Sequence, residues 1–231
     1  MSFLRIGERE RRKGRKQNTM RCKILIGSCV ALAFVVASSK VTANPDPKLF
    51  GTTEIRSSQL APFTHWEEML NRMRTTPEPF SDACEAPQDR LCHLRAWNQF
   101  LVGERGRAKR DQLDEVNAFI NKFPYIDDIT NWGRTNYWET PLEFLHKSGD
   151  CKDYAIAKYM SLRYLDWPID ELRLVVLRDI NLSADHAVLA VYFDDKILIL
   201  DNQIHQVTNA DSIHHYRPYY SINEEYWWLH R

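Results

Sequence analysis

The apolar periodicity of this chain changes once, at Trp167-Pro168. Before that point apolar residues recur at helical spacing in "FTHWEEMLNRM", "LCHLRAWNQFLVGERG" and "KRDQLDEVNAFINKF", in a short segment near Pro141, and after Cys151. Residues 124–140 mix aromatics with turn formers and are expected to be irregular. The runs "LRLVVLRDI", "HAVLAVYF" and "KILILDNQ" predict strands, with Asp194 and Asp195 as a hairpin turn. Helices first and antiparallel strands afterwards predict an α+β fold.

Residues 1–43 have the composition of a secretory signal. Nine Lys or Arg residues precede the apolar run "ILIGSCVALAFVVA", and small residues follow at the two positions that a signal peptidase reads. The run is shorter than the roughly 20 residues of a spanning helix, so we expect cleavage after Ala43 and a periplasmic protein; an uncleaved anchor is the alternative. Met20 is a second candidate start. Residues 44–58 predict a linker, which leaves residues 59–231 as one domain.

Loss of the leader changes the net charge of the chain and leaves fewer cysteines that can pair. The whole chain carries 31 basic and 31 acidic residues, whereas residues 44–231 keep 21 basic and 29 acidic residues, a net charge of −8. This balance disfavours nucleic acid as a partner, because phosphate binding depends on clustered positive charge. Cys84 and Cys92 are close enough in sequence to pair in an oxidising compartment. Cys151 is then the odd thiol of the mature chain.

Cys151 lies in "SGDCKDYA", where the chain turns into a helix. A thiol at a helix N-terminus feels the positive end of the helix dipole, which favours the thiolate and predicts a nucleophile. His186 opens one predicted strand and Asp201 closes the next. A two-residue turn between these strands places position 188 opposite Asp201 and makes His186 its diagonal neighbour on the same face. We therefore predict His186 as base, Asp201 as its orienting partner and Cys151 as nucleophile.

Each of these residues also has an ordinary structural explanation. A lone cysteine at a helix start is often a structural thiol, a histidine at a strand start is often a surface or core residue, and Asp201 with Asn202 can form a plain turn. Their order along one chain, in a secreted protein whose other cysteines can pair, favours the catalytic interpretation.

The stretches "TNYWETPLEFLHKSGDCKDYAIAKYMSLRYL" and "ADHAVLAVYFDDKILILDN" resemble the bacterial transglutaminase-like cysteine proteinase family of LapG-type periplasmic proteases. The resemblance covers roughly Phe63 to Tyr220 and implies a papain-like, transglutaminase-like core with Cys151, His186 and Asp201 as its triad. It implies as substrate a large repeat-containing surface adhesin, clipped near its N-terminus at a small-residue site to release cells from a biofilm. It also implies a regulator, an inner-membrane cyclic di-GMP receptor that holds the protease away from the adhesin.

The same resemblance implies a calcium site made of acidic residues beside the catalytic cysteine. Asp150 matches this pattern, whereas Lys152 stands where the family usually has glutamate. One carboxylate fewer and one ammonium more predict weak calcium binding. We expect that Lys152 instead tethers the loop before the cysteine by pairing with Asp150 or with a nearby acidic residue, the candidates being Asp127, Asp128 and Asp153. A solvent-exposed Lys152 is the alternative.

Three functions are compatible with these residues. The first is peptide hydrolysis through an acyl-thioester on Cys151. The second is protein-glutamine amine transfer, in which an amine instead of water attacks the same intermediate. The third is a catalytically silent module that binds the adhesin or its receptor. The predicted oxyanion donor is the backbone N–H of Cys151, with Trp132 and Asn136 as side-chain candidates.

Overall fold

The computed structural model describes residues 47–75 and 90–231; the predicted signal at residues 1–43 and Cys84 lie outside these ranges. The helices in the described ranges are α1 (Thr64–Thr75), α2 (Arg90–Glu104), α3 (Lys109–Ile120), α4 (Asp128–Trp132), α5 (Pro141–Lys147) and α6 (Cys151–Tyr164). The strands are β1 (Glu54–Ser57), β2 (Leu172–Asp179), β3 (Ala184–Phe193), β4 (Lys196–Leu200), β5 (Thr208–Asn209), β6 (Tyr216–Ile222) and β7 (Trp227–His230). The predicted α+β class is confirmed.

The strands form one antiparallel sheet in the order β1-β7-β6-β2-β3-β4-β5. Its β3–β4 hairpin has the predicted register, with Leu189 opposite Leu200 and Phe193 opposite Lys196. The two turn residues between these strands, Asp194 and Asp195, have positive φ angles of 49° and 57°. A two-residue turn with both φ angles positive has the twist that suits a hairpin. The hairpin and its register are therefore confirmed.

Helix α6 lies at the centre of the fold and is buried from Lys152 to Leu162. It packs on β2 and β3, and α3 and α5 contact it as well. Strand residues alternate between two core clusters: Leu189 packs in the cluster that includes α6, and Val188 packs in a second cluster on the other face of the sheet. The sheet is thus covered on both faces, which explains the nearly continuous apolar runs of β2, β3 and β4.

The predicted linker contains a strand of the sheet. Glu54 of β1 pairs with His230 of β7, and Leu49 is fully buried. Glu54 also accepts a hydrogen bond from Arg173 at 2.6 Å. The folded unit therefore begins before residue 59, since β1 finds its partner strand at the opposite end of the chain, where no local pattern reveals it.

Helix α4 lies in the stretch that was expected to be irregular. It has only five residues, and the Asp127 side chain caps its N-terminus by accepting a hydrogen bond from Thr130 N at 2.8 Å. Gly133 ends it with a positive φ of 65°, a conformation that glycine adopts without strain. Such a short helix has too few residues to show an apolar period.

Within residues 47–75 and 90–231, no helix combines the length and the apolar character that crossing a membrane requires.

Candidate active site

Cys151 is the first residue of α6, and the residues around it fix that position. Asp150 is the N-cap: its side chain accepts from Lys152 N at 3.3 Å, and Asp153 Oδ2 accepts from Asp150 N at 3.0 Å. This reciprocal capping box satisfies two backbone donors that the helix itself leaves free. Before it, a Cβ on Gly149 would lie 2.7 Å from the Asp153 side chain, so only glycine fits there.

His186 and Asp201 lie at neighbouring ends of β3 and β4. His186 Nε2 is 2.9 Å from Asp201 Oδ1, and both side chains are buried. Asp201 Oδ1 also accepts from Gln203 N at 2.9 Å, while Oδ2 accepts from the Tyr216 hydroxyl at 2.6 Å. Burial raises the pKa of Asp201, but these three hydrogen bonds outweigh burial and leave the pKa below its ordinary value. An ionised carboxylate only accepts, so Nε2 carries the imidazole proton and Nδ1 is the basic nitrogen.

Cys151 and His186 line the same cavity, which has a volume of about 450 Å³. Helix α6 brings the thiol to it and β3 brings the imidazole. Apolar side chains from several elements form much of the remaining wall, namely Pro62, Phe63, Trp66, Trp138, Val176 and Tyr220. Asp201 lies behind His186 and is not part of the lining. Two of the residues predicted as a triad, Cys151 and His186, thus share one cavity, and the third, Asp201, contacts His186 from behind.

The surroundings of Cys151 differ from the thiolate-stabilising helix end that the sequence predicted. Burial raises the pKa of the Cys151 thiol to about 12, and the Asp150 carboxylate adds to this effect. A backbone hydrogen bond from Ala187 and the charge of Lys152 lower the pKa, but by less than burial and Asp150 raise it. Burial and the Asp150 carboxylate therefore favour the neutral thiol over the thiolate in the resting enzyme. The thiol depends on His186 to take its proton during attack.

Lys152 points into the protein and contacts three carboxylates. Its Nζ lies 2.7 Å from Asp150 Oδ1, 2.9 Å from both Asp128 carboxylate oxygens and 3.2 Å from Asp153 Oδ2. Burial lowers the pKa of Lys152, but these carboxylates outweigh burial and raise the pKa above its ordinary value. The expected pairing with Asp150 is confirmed, and the solvent-exposed alternative is wrong. Asp127 does not take part, since it caps α4.

The same three carboxylates are the candidate metal ligands of the described chain. One oxygen atom from each of Asp128, Asp150 and Asp153 lies within 4.8 Å of the others. Calcium takes roughly six to eight oxygen ligands at about 2.3–2.6 Å. The Lys152 ammonium contacts oxygen atoms from all three residues, so it occupies the position between them that an ion would need. These residues do not fit a calcium ion while Lys152 is in place.

Of the two side chains predicted as oxyanion donors, Asn136 is among the described residues that line the cavity, and Trp132 is not. Trp132 Nε1 donates instead to Glu139 Oε1 at 2.5 Å. Asn136 Oδ1 accepts from Trp138 Nε1 at 3.0 Å, which fixes the orientation of the Asn136 amide. Its Nδ2 is then the group able to donate.

Two polar residues near the triad were not predicted from the sequence. Tyr216, which binds Asp201, follows it by 15 residues on another strand and carries no local signal. Lys158 is fully buried on α6, and its Nζ has no hydrogen-bond partner among the described residues. Burial lowers the pKa of Lys158 to about 7, although the charge of Asp201 opposes this. A lysine in the buried run "YAIAKYM" was the available signal.

Comparisons with known proteins agree with this architecture. The family model "Bacterial transglutaminase-like cysteine proteinase BTLCP" matches residues 71–230. Two structures of Legionella pneumophila LapG, one of them calcium-bound, are 29% identical with a TM-score of 0.57 and cover 71% of this chain and 86% of LapG. EGTA-treated LapG is 28% identical with the same TM-score, over 71% of this chain and 85% of LapG. No curated protein matches the chain. The family model spans more than half of the sequence, and the chain therefore belongs to the bacterial transglutaminase-like cysteine proteinase family.

Proposed function

We propose that this cysteine peptidase is a periplasmic endopeptidase that cleaves a large repeat-containing surface adhesin near its N-terminus and so releases cells from a biofilm. One observation carries the catalytic part of the proposal: His186, held by Asp201, lines the same cavity as Cys151. Similarity to LapG supports the substrate class. The composition of residues 1–43 supports secretion.

Each proton transfer of the reaction can be assigned to a residue of the triad. Cys151 Sγ attacks the scissile carbonyl carbon while the thiol proton passes to His186 Nδ1. His186 then gives this proton to the leaving amine as the C–N bond breaks, which leaves an acyl-thioester on Cys151. Water attacks the thioester and gives a proton to His186; the C–S bond breaks and the thiol is restored. Asp201 orients the ring and stabilises the imidazolium that forms in each half-reaction.

The oxyanion of each tetrahedral intermediate needs hydrogen-bond donors, which we assign to Cys151 N–H and Asn136 Nδ2. Asn136 has a positive φ of 55°, a conformation that asparagine and aspartate tolerate better than most residues. Asn136→Asp keeps this backbone and the acceptor for Trp138 but replaces the donor with an acceptor. It should lower kcat by about 100-fold to 1000-fold with little change in KM. An unchanged kcat removes Asn136 from this role.

Hydrolysis is favoured over the two alternatives. Amine transfer would use the same thioester, but the family to which the chain belongs is one of proteinases. A silent binding module would not need a buried carboxylate held against the histidine of its cavity.

We also propose the cyclic di-GMP receptor of the family as regulator. Adding the periplasmic domain of a co-encoded receptor should slow cleavage, and an unaffected rate argues against this partner.

The test is to mix the purified protein with the N-terminal part of a co-encoded large adhesin. We expect one defined cut, and none with Cys151→Ala, whose melting temperature should match that of the wild type because little buried volume is lost. A parallel reaction with a primary amine and a glutamine donor should give no conjugate. Conjugation without cleavage would favour amine transfer, and an uncut adhesin would reject the proposed substrate.

A further inference from the structure

Lys152 joins three carboxylates that come from two separate segments of the chain. Asp150 and Asp153 belong to the start of α6, whereas Asp128 begins α4. The Lys152 ammonium has three protons, and each of the three carboxylates lies close enough to accept one. Only 7% of Lys152 is exposed, so solvent does little to screen these contacts. The ammonium therefore cross-links the two segments inside the protein.

The carboxylates in turn hold backbone close to the catalytic cavity. Asp128 Oδ2 accepts from Tyr137 N at 2.9 Å, and Asp153 Oδ1 accepts from Glu139 N at 2.9 Å. Asp153 Oδ2 accepts from Asp150 N at 3.0 Å, next to the nucleophile. The segment that precedes α5 and the start of α6 both contribute residues to the cavity wall. Asp153 thus holds the segment before α5 and the residue next to the cysteine together, and Asp128 holds the same segment at Tyr137.

Three carboxylates this close repel one another unless a cation lies between them. Legionella LapG has been solved in calcium-bound and EGTA-treated forms, so a relative with the same fold binds a metal ion. In this chain the positive charge is covalently attached. It cannot dissociate, and it repels an incoming cation.

We propose that Lys152 is a built-in cation that takes the place of a divalent metal ion, so that this peptidase positions Cys151 and the adjacent cavity wall without calcium. Lys152 acts through the three carboxylates and is a positioning residue. The peptidase is then indifferent to the calcium concentration around it. Metal dependence of this protein can be measured through its melting temperature and through metal binding, neither of which needs a substrate.

The first experiment uses the wild-type protein. Its melting temperature should be the same in EGTA and in millimolar calcium. Terbium, a calcium probe whose luminescence is excited through nearby tryptophans such as Trp132 and Trp138, should show no saturable signal. Cleavage should proceed equally in both conditions. A melting temperature that falls in EGTA, or terbium luminescence that saturates and is displaced by calcium, would overturn the proposal.

The second experiment removes the cation. In EGTA, Lys152→Met should lower the melting temperature by about 10 °C and the cleavage rate by about 100-fold, because the carboxylates are left uncompensated. Calcium should restore much of both losses, and terbium luminescence should appear. Lys152→Glu adds a fourth carboxylate and should show the same gain of metal response. Lys196→Met removes an exposed lysine beside the β3–β4 turn, which pairs with none of these carboxylates, and should behave as wild type in every assay.

Two results would contradict the proposed role of Lys152. One is a Lys152→Met protein that keeps its wild-type melting temperature and cleavage rate in EGTA. The other is a pair of variants that lose stability but gain neither terbium luminescence nor any calcium response, which would make the site unfit for a cation of any kind. The wild-type measurements decide metal independence even where a variant fails to fold.

Discussion

His186 Nε2 lies 2.9 Å from Asp201 Oδ1, in a part of the structure where both side chains are buried. This contact commits Nε2 as a donor and leaves the Nδ1 lone pair for proton transfer. Gln203 Nε2 approaches Nδ1 to 3.4 Å, which is long for a hydrogen bond. Nδ1 therefore carries the lone pair, and a proton arriving from Cys151 would replace this weak contact with Gln203.

Tyr216 binds the second carboxylate oxygen of Asp201, so two variants of different severity can test how much catalysis depends on the orientation of His186 by Asp201. Asp201→Asn should reduce kcat by orders of magnitude, because an amide no longer selects the correct imidazole tautomer; the loss should be smaller than that of Cys151→Ala. Tyr216→Phe removes one hydrogen bond to a charged group and should cost about tenfold to 100-fold. Steady-state kinetics on a cut adhesin fragment measure both. A Tyr216→Phe enzyme with an unchanged rate would show that Asp201 is oriented without the hydroxyl.

The protonation state of Cys151 predicts how alkylation depends on pH. A thiol whose pKa is raised stays neutral below that pKa and becomes thiolate only above it, and the pKa of Cys151 is raised to about 12. Labelling of substrate-free enzyme by iodoacetamide should therefore keep rising with pH, with no plateau below about pH 11. Quantitative mass spectrometry follows the modification of Cys151, and Cys151→Ala supplies the background. A plateau near neutral pH would reveal a stabilised thiolate instead.

Lys158 predicts a pH dependence of folding stability. Its pKa is about 7 in the folded protein and 10.5 as the ordinary value, so between these values the unfolded chain binds a proton that the folded protein does not. Stability rises with pH wherever the unfolded state binds more protons, so the contribution of Lys158 should grow from about pH 7 to about pH 10.5. Urea unfolding should show this rise for the wild type and a shallower one for Lys158→Met. Parallel profiles would mean that Lys158 is not buried in the neutral form.

The cysteine pair lies partly outside the described residues, and the Cys84–Cys92 disulfide stays a prediction. Among the described cysteines, Cys151 is the free thiol. The loop that the disulfide closes is short, so its contribution to stability should fall at or below the lower end of about 2–4 kcal/mol. Unreduced tryptic peptides should contain a linked pair by mass spectrometry. Two alkylated thiols at these positions would rule the bond out.

The elements that local rules determine could be predicted from the sequence. Helical spacing located α1, α2, α3 and α6, and the alternation of strand residues with a two-residue turn placed His186 beside Asp201. The capping residues around Cys151 are adjacent in sequence, so the start of α6 was also readable.

What the sequence did not reveal depends on contacts between distant residues. Strand β1 pairs with β7 across nearly the whole chain, and Tyr216 reaches Asp201 from another strand. Asp128 was among the residues expected near Lys152, but the sequence could not separate it from Asp127; the start of the short helix α4 decides this, because Asp127 caps the helix and Asp128 reaches Lys152. The pKa of Cys151 is raised mainly by burial, which the position of the cysteine at the start of a helix does not reveal.

The most direct test of the account is the mass of the tryptic peptide "SGDCK", residues 148–152, from enzyme quenched in acid during turnover of an adhesin fragment. We expect this peptide to carry transiently the acyl group of the N-terminal cleavage product on Cys151, and we expect Cys151→Ala to give neither adduct nor cleavage. Cleavage by Cys151→Ala at the wild-type rate, with residues 148–152 of the wild type unmodified throughout, would contradict it.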